Sequence, residues 1–133
     1  MSVLLIVAIG MSSTAGPISG RWHTPENKAI VEIAPCGAQL CGTIVSAVPL
    51  PRTTTPPLDT HNPDPALRNR LIIGMRLLSG FVPGRGNWTG GTIYNPVNGK
   101  TYKAVLTLMP DGQLKVSGCV AFLCQDQFWR RAK

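Results

Sequence analysis

The segment GGTIYNPVNGKTYKAVLTLMPDGQLKVSGCV, residues 90–120, alternates strand-like runs with tight turns. Within 101–109 every second side chain is apolar, at Tyr102, Ala104, Leu106 and Leu108. Successive residues of a β-strand face opposite sides of a sheet, so this run has one apolar face and one more polar face. Asn98-Gly99 and Asp111-Gly112 are typical of turns that join antiparallel strands. The segment therefore predicts consecutive hairpins, with Leu106, Leu108 and Val116 facing the interior.

The same strand chemistry recurs on both sides of this segment, without a helical pattern of 10 to 15 residues between the runs. The predicted strands are 18–23, 29–34, 40–48, 71–78, 88–94, 101–109, 113–120 and 127–131. Such a meander predicts an all-β fold, an antiparallel up-and-down β-barrel of about eight strands. Closing the sheet removes its exposed edges and can leave room for one small ligand. A two-sheet sandwich is the alternative.

One long break interrupts the meander. Residues 49–70 contain six of the 12 prolines and have no apolar periodicity, so they are predicted to be mostly loop. Within this loop, Asp64 is placed to cap a short helix that begins at Pro65. A connection of this length in a small domain is more often a functional or lid-like loop than a spacer.

Composition limits the function classes. The chain has 133 residues, of which residues 16–133 are expected to form one domain, and its net charge is +7. A basic surface attracts anions, but no long run of like charges is present, so we do not expect a nucleic-acid-binding protein. An anionic component of the cell envelope remains an open partner. No apolar stretch is long enough to span a membrane.

The N-terminus has the order of a secretory signal peptide. An apolar run at residues 3–9 precedes small residues, with Ser13 and Ala15 at the spacing of a cleavage site. A basic residue before the apolar run is missing, and a buried first strand is the alternative. Residues 1–15 are therefore predicted to be a signal peptide, and the protein to be exported to the periplasm or secreted.

Short motifs from the first predicted strand to the last resemble a known family. Gly20-x-Trp22 with Arg131 near the C-terminus resembles the end of lipocalin-like (calycin) barrels, where a guanidinium stacks on a tryptophan that plugs the barrel. The wider set is Cys36-Gly37, Leu40-Cys41-Gly42-x-Ile44-Val45, Asn62-Pro63-Asp64-Pro65-x-Leu67-Arg68, Gly90-Gly91-x-Ile93-Tyr94-Asn95-Pro96, Gly99-Lys100-x-Tyr102, Gly118-Cys119 and Gln127-x-Trp129-x-Arg131. Together they resemble the exported bacterial family called domain of unknown function 2147. The resemblance implies a signal peptide and a lipocalin-like barrel, and no established activity.

The residues offer little support for catalysis. His61 lies near Asp59, Asn62 and Asp64, but this cluster matches no standard spacing of metal ligands. No serine is surrounded by a nucleophile motif. We therefore predict no catalytic residue, no metal and no cofactor, and an enzyme ranks third among the functions.

Polar residues of the family-resembling motifs are concentrated in the long loop and in the strand that contains Gly90-Gly91. We take them as the candidate ligand-binding site. The set is Asn62, Asp64, Arg68, Arg70, Trp88, Tyr94 and Asn95. Arg68 and Arg70 have the forked donors that bind a carboxylate or phosphate. The alternative is structural, with Asp64 and Arg68 paired to hold the loop over the barrel mouth.

The four cysteines form two pairs with the same spacing, Cys36 with Cys41 and Cys119 with Cys124. Export would place them in an oxidising compartment, where disulfides are expected. Each pair flanks four residues between strand-like runs, which favours one disulfide within each hairpin. The cross-pairing stays open, because the first and last strands of a closed barrel are neighbours.

The function predicted from these features is non-covalent binding of a small amphipathic ligand, apolar with an anionic head. The runner-up is an interaction scaffold that docks an envelope protein through loop 49–70. A cavity inside the barrel would favour the ligand, and a filled barrel would favour the scaffold.

Overall fold

The computed structural model describes residues 16–133, so the predicted signal peptide at 1–15 lies outside the described residues. Eight antiparallel strands form a closed barrel in sequence order. The strands are β1 (Gly20–His23), β2 (Ala29–Cys36), β3 (Gln39–Ala47), β4 (Arg76–Pro83), β5 (Trp88–Asn95), β6 (Lys100–Leu108), β7 (Leu114–Val120) and β8 (Leu123–Arg131). Within residues 16–133, three short 3-10 helices accompany them, at Gly16–Ile18, Pro25–Asn27 and Pro65–Leu67. The predicted lipocalin-like barrel is confirmed.

The two ends of the barrel differ. At one end, which we call the closed end, β1 begins and β8 ends. There the Trp22 ring is fully buried, and its indole N–H donates to the carbonyl oxygen of Ile18 at 3.0 Å. The Arg131 guanidinium lies over this ring, 4.1 Å from its centroid. Its two terminal nitrogens also donate to the carbonyl oxygens of Ser19 and Pro17, each at 2.7 Å. This is the arrangement that the family resemblance implies for Trp22 and Arg131.

The hydrophobic core fills the closed half of the barrel. Its most deeply buried side chains are Ile18, Trp22, Val31, Ile33, Leu40, Leu78, Phe81, Leu106, Leu114, Val116 and Trp129. Leu106 and Val116 face the interior as the alternation predicts, and Leu108 packs against the core from its edge. Burial of apolar surface on this scale is the main term that stabilises the barrel.

The predicted fourth strand, 71–78, is wrong in its position. The strand runs from Arg76 to Pro83, and residues 71–75 belong to the preceding loop. Gly74 has a φ of 96°, and its N–H donates to the carbonyl oxygen of Ile44 at 2.7 Å, so the chain turns there before the strand starts. Gly80 lies beyond the end of the predicted strand, yet it is part of β4, with a φ of 82°, next to Gly90 and Gly91 of β5.

Each cysteine pair closes its own hairpin. Cys36 is bonded to Cys41 in the β2–β3 hairpin at the closed end, and Cys119 to Cys124 in the β7–β8 hairpin at the opposite end. The pairing within hairpins is the one that the spacing favours, and no free cysteine remains in residues 16–133. The strand β8 starts at Leu123, earlier than the predicted 127, because it pairs with β7 along this disulfide.

Two glycines, Gly91 in β5 and Gly118 in β7, give a matched test of the packing. A Cβ at Gly91 would lie 2.5 Å from the Ser79 carbonyl oxygen and 2.6 Å from the Phe81 ring, whereas at Gly118 the nearest atom would be 3.5 Å away, on Ile93. We expect Gly91→Ala to lower the free energy of unfolding by about 1–3 kcal/mol through overpacking. Gly118→Ala should change it by less than about 1 kcal/mol. Urea denaturation measures both, and equal effects would contradict this packing.

Candidate functional site

The half of the barrel opposite the closed end is hollow. A cavity of about 890 Å³ opens between the loops that join β1 to β2, β3 to β4, β5 to β6 and β7 to β8. We call this end the mouth. Ligand pockets in proteins span roughly 300–1,000 Å³, so the cavity can hold a small organic molecule.

The cavity wall is mostly apolar, with polar groups added at particular places. Its apolar side chains include Ile44, Ile72, Leu77, Ile93, Val116 and Trp129. Its polar and charged side chains include Lys28, His61, Asn98, Tyr102, Gln125 and Gln127. Gly118 contributes no side chain to the wall, so the space beside Ile93 and Tyr102 stays open.

The long β3–β4 loop forms a lid at the mouth. Leu58 and Leu71 form a β-bridge, and the Ile72 N–H donates to the carbonyl oxygen of Pro57 at 3.1 Å. Residues 57–72 therefore double back on themselves, with the helix Pro65–Leu67 between the two arms; we call this segment the lid. Asp64 caps that helix as predicted, since its carboxylate accepts from the Ala66 N–H at 3.0 Å.

A buried carboxylate ties the lid to the barrel. Asp59 has an exposed fraction of 0%, and the hydroxyl of Tyr94 on β5 donates to its Oδ1 at 2.7 Å. Its Oδ2 accepts from Asn62 Nδ2 at 2.8 Å and from Arg70 Nε at 3.0 Å. Burying a charge is costly unless it is paired and hydrogen-bonded, and here three donors meet that requirement. We call Asp59, Asn62, Arg70 and Tyr94 the latch.

The contacts of the latch change the pKa values of two of its members, Asp59 and Tyr94. Burial favours the neutral carboxyl of Asp59, but hydrogen bonds from Asn62, Tyr94 and Arg70 and the charge of Arg70 outweigh it, so the pKa of Asp59 is lowered. Burial raises the pKa of Tyr94 to about 12, and its hydrogen bond to the negatively charged Asp59 acts in the same direction. Both shifts favour the state in which Asp59 is ionised and Tyr94 is protonated.

The β5–β6 turn forms a second contact with the lid. Gly99 has a φ of 74°, and a Cβ at this position would overlap the carbonyl oxygen of His61. Any side chain at Gly99 would push the lid and the turn apart. The sequence marks Asn98-Gly99 as a hairpin signal, and the structure adds this close approach as a second reason for glycine.

Most of the predicted site residues lie in the cavity wall or in the lid, and Trp88 lies in neither. Tyr94 and Asn95 line the cavity, and the others in the set do not. Asn62 and Arg70 belong to the latch, while Arg68 Nε donates to the Asn62 carbonyl oxygen at 2.7 Å. Trp88, at the start of β5, is buried at the closed end.

The alternative pairing of Asp64 with Arg68 is not among the ion pairs of residues 16–133. The lid is nevertheless held over the mouth, but by Asp59. The sequence groups Asp59 with His61, Asn62 and Asp64 and leaves it out of the site. The only feature of the sequence that points to Asp59 as a site residue is its place in a loop that also carries the basic Arg70. Its other main partner, Tyr94 on β5, is 35 positions away.

No group of three histidine, cysteine or acidic side chains within 16–133 is arranged to hold a metal ion. No helix in this part of the chain has the length and apolar character needed to cross a membrane.

The latch gives a matched pair of tyrosine variants. Tyr94→Phe removes a hydrogen bond to a buried charge, so we expect the free energy of unfolding to fall by about 1.5–3 kcal/mol. Tyr102→Phe removes a hydroxyl that only meets the exposed Asn98 amide, at 2.8 Å, and should cost no more than about 0.5 kcal/mol. Urea denaturation and hydrogen exchange of residues 57–72 measure the two effects. Equal losses, or unchanged exchange in Tyr94→Phe, would refute the latch.

The raised pKa of Tyr94 predicts an alkaline effect with a defined sign. Tyr94 ionises near its ordinary value of 10.0 when unfolded and at about 12 when folded. Its contribution to stability is therefore complete below about pH 10 and is lost as the pH rises towards 12. The stability difference between wild type and Tyr94→Phe, followed by denaturation at rising pH, should shrink over this range. A constant difference would contradict the shift.

Comparisons with known proteins agree with this architecture. The solved structure of HP1028 from the human pathogen Helicobacter pylori, described as belonging to the lipocalin family, superposes with a TM-score of 0.75. The two chains share 25% sequence identity, over 87% of this chain and 83% of that one. The search of curated proteins finds no match. The model of a family of uncharacterised proteins conserved in bacteria, DUF2147, matches residues 20–131, and the chain therefore belongs to this family.

Proposed function

We propose that the protein binds a small amphipathic ligand, with an apolar chain inside the barrel and an anionic head at the mouth. The observation that carries this proposal is the cavity of about 890 Å³. A barrel that served only as a rigid scaffold would gain stability by filling this space with side chains, since empty volume in a core is destabilising. The apolar wall suits a hydrocarbon or ring system, and burial of that surface would supply the affinity.

The head group in this proposal sits among the polar residues at the mouth. Lys28 lines the cavity, and its only ion-pair partner within 16–133 is Glu26 at 3.3 Å. Both side chains of this pair are well exposed, so the pair is weak and an incoming carboxylate or phosphate can compete for Lys28. Of the predicted set, Tyr94 and Asn95 line the cavity, and in this proposal they contact the ligand directly. In this proposal Asn62, Asp64, Arg68 and Arg70 act indirectly, by holding the lid.

Compartment and fold are compatible with such a role. The two disulfides and membership of a bacterial family are consistent with an exported protein. A lipocalin-like barrel is also a fold in which one small ligand can be held inside.

The proposal is tested by blocking the cavity from within. Gly118→Phe places a ring in the open space beside Ile93 and Tyr102, and Gly118→Ala is the matched control. We expect the wild type and Gly118→Ala to bind a fluorescent fatty-acid analogue, and Gly118→Phe to bind it at least about tenfold more weakly, because the ring displaces buried apolar contact. Circular dichroism shows whether each variant is folded.

Native mass spectrometry of protein purified from its own host would then identify the ligand class. A retained small molecule that disappears in Gly118→Phe supports the proposal. Two results would overturn the proposal. One is equal affinity of the fatty-acid analogue for Gly118→Phe and Gly118→Ala. The other is that folded wild type neither binds the analogue nor retains a small molecule.

The second candidate is docking of an envelope protein through loop 49–70. Exposure of Leu67 and Leu71 on this loop favours it, because exposed apolar side chains often belong to binding surfaces. Leu67→Ser with Leu71→Ser would weaken such docking and leave binding of the fatty-acid analogue unchanged.

A further inference from the structure

Exposed apolar side chains are concentrated at the mouth. Ten of the twelve large apolar residues that are exposed in 16–133 lie in the loops and strand ends at the mouth, among them Leu67, Leu71 and Ile73 of the β3–β4 loop and Phe122 of the β7–β8 turn. The other six also line the cavity: Val48, Leu50, Leu58, Val97, Val120 and Leu123. Towards the closed end, by contrast, the exposed large apolar residues of 16–133 are Val82 on β4 and Phe128 on β8. Apolar surface gathered at one end of a protein marks an interaction site.

The β7–β8 turn is the most exposed part of this surface. Val120 pairs with Leu123, so Ala121 and Phe122 form the turn itself, and Ala121 has a φ of 54°. The exposed fractions are 58% for Val120, 90% for Phe122 and 71% for Leu123. Four consecutive apolar residues thus extend into solvent without a polar side chain among them. We call residues 120–123 the apolar tip.

The tip is held in place before any partner arrives. The disulfide between Cys119 and Cys124 lies directly beside it and joins the two strands at their last paired positions before the tip. A constrained turn loses little conformational freedom on binding, so the exposed side chains can be used efficiently for affinity.

The tip is continuous with the cavity. Val120 and Leu123 line both the rim and the cavity wall, as do Leu50 and Val97 on other loops. An apolar chain could therefore move between a hydrocarbon phase at the rim and the barrel interior without crossing water. Docking on a protein would not use this continuous apolar route, whereas docking on a lipid bilayer would let an apolar chain pass along it.

Charge at the mouth matches an anionic surface. Arg52 follows Leu50 in the β3–β4 loop, and Lys100 begins β6 just after the turn that carries Val97. Both are exposed, and neither forms an ion pair within the described residues. With a net charge of +7, the protein is attracted to anionic headgroups. Apolar insertion combined with basic flanking residues is how peripheral proteins bind membranes.

We propose that the mouth docks on a lipid bilayer that contains anionic phospholipids. The apolar tip enters the boundary between headgroups and acyl chains, and Arg52 and Lys100 face the phosphates. This docking goes beyond ligand binding and does not depend on what occupies the cavity.

The experiment uses the full chain and vesicles of phosphatidylcholine, with and without phosphatidylglycerol, in a flotation assay. Phe122→Ser with Leu123→Ser should reduce partitioning onto vesicles at least about tenfold, since two apolar side chains lose their burial in lipid. Phe128→Ser is the matched control, because Phe128 is an exposed aromatic on β8 that does not line the cavity. All variants keep residues 1–15, so any contribution of that apolar segment is common to them.

A second pair of variants tests the charge. Arg52→Gln with Lys100→Gln should weaken binding to phosphatidylglycerol vesicles about fivefold per residue and reduce its salt dependence. It should leave binding to pure phosphatidylcholine vesicles unchanged. Gly118→Phe should keep wild-type vesicle binding even where it abolishes ligand binding, which separates this proposal from the proposed function.

Three results would overturn membrane docking. The first is no flotation of the wild type with anionic vesicles. The second is equal flotation of wild type and the Phe122→Ser, Leu123→Ser variant. The third is a loss in Phe128→Ser as large as that in the tip variant. If a purified envelope protein binds the tip while vesicles do not, the surface serves a protein partner and the proposal fails.

Discussion

The stacking of Arg131 on Trp22 is the contact on which barrel closure depends. Closure requires β1 to pair with β8, yet this seam has two register pairs, against seven between β7 and β8. One side chain compensates for the short seam, because Arg131 covers the Trp22 ring and also donates to the carbonyl oxygens of Ser19 and Pro17. The core packs around this ring, so the opposite half of the barrel can stay hollow while the fold remains stable.

A different kind of interaction controls the mouth. The closed end relies on apolar burial, whereas the lid is secured by the charge of Asp59, which is sheltered from solvent and met by three donors. Charged hydrogen bonds are directional, and losing any one donor leaves a buried charge undersatisfied. The lid position is therefore specified by a few polar atoms rather than by a broad packed surface. Such an arrangement permits local opening without unfolding the barrel.

Much of the fold could be predicted because it is local in sequence. Alternating side chains mark the faces of β6 and β7, and the spacing of the cysteines favours the two disulfides that the structure contains. The position of β4 could not be predicted, since Gly80 resembles a turn residue until Gly91 is known to lie beside it.

The candidate site was harder to predict than the fold. The role of Asp59 depends on Tyr94 in a distant strand, and only the closed barrel brings the two together. The cavity likewise cannot be read from the sequence, because its wall combines residues from loops and strands that are far apart along the chain.

The path of the chain through the barrel has a consequence for how the molecule can be oriented. The strand β1 starts and β8 finishes at the end sealed by Trp22, while the rim with Phe122 lies at the opposite pole. A protein immobilised through either of these strand ends would present its rim outward, unobstructed by the attachment. The two ends of the barrel thus differ in use: one is available for attachment, and the opposite end, with the cavity, stays accessible.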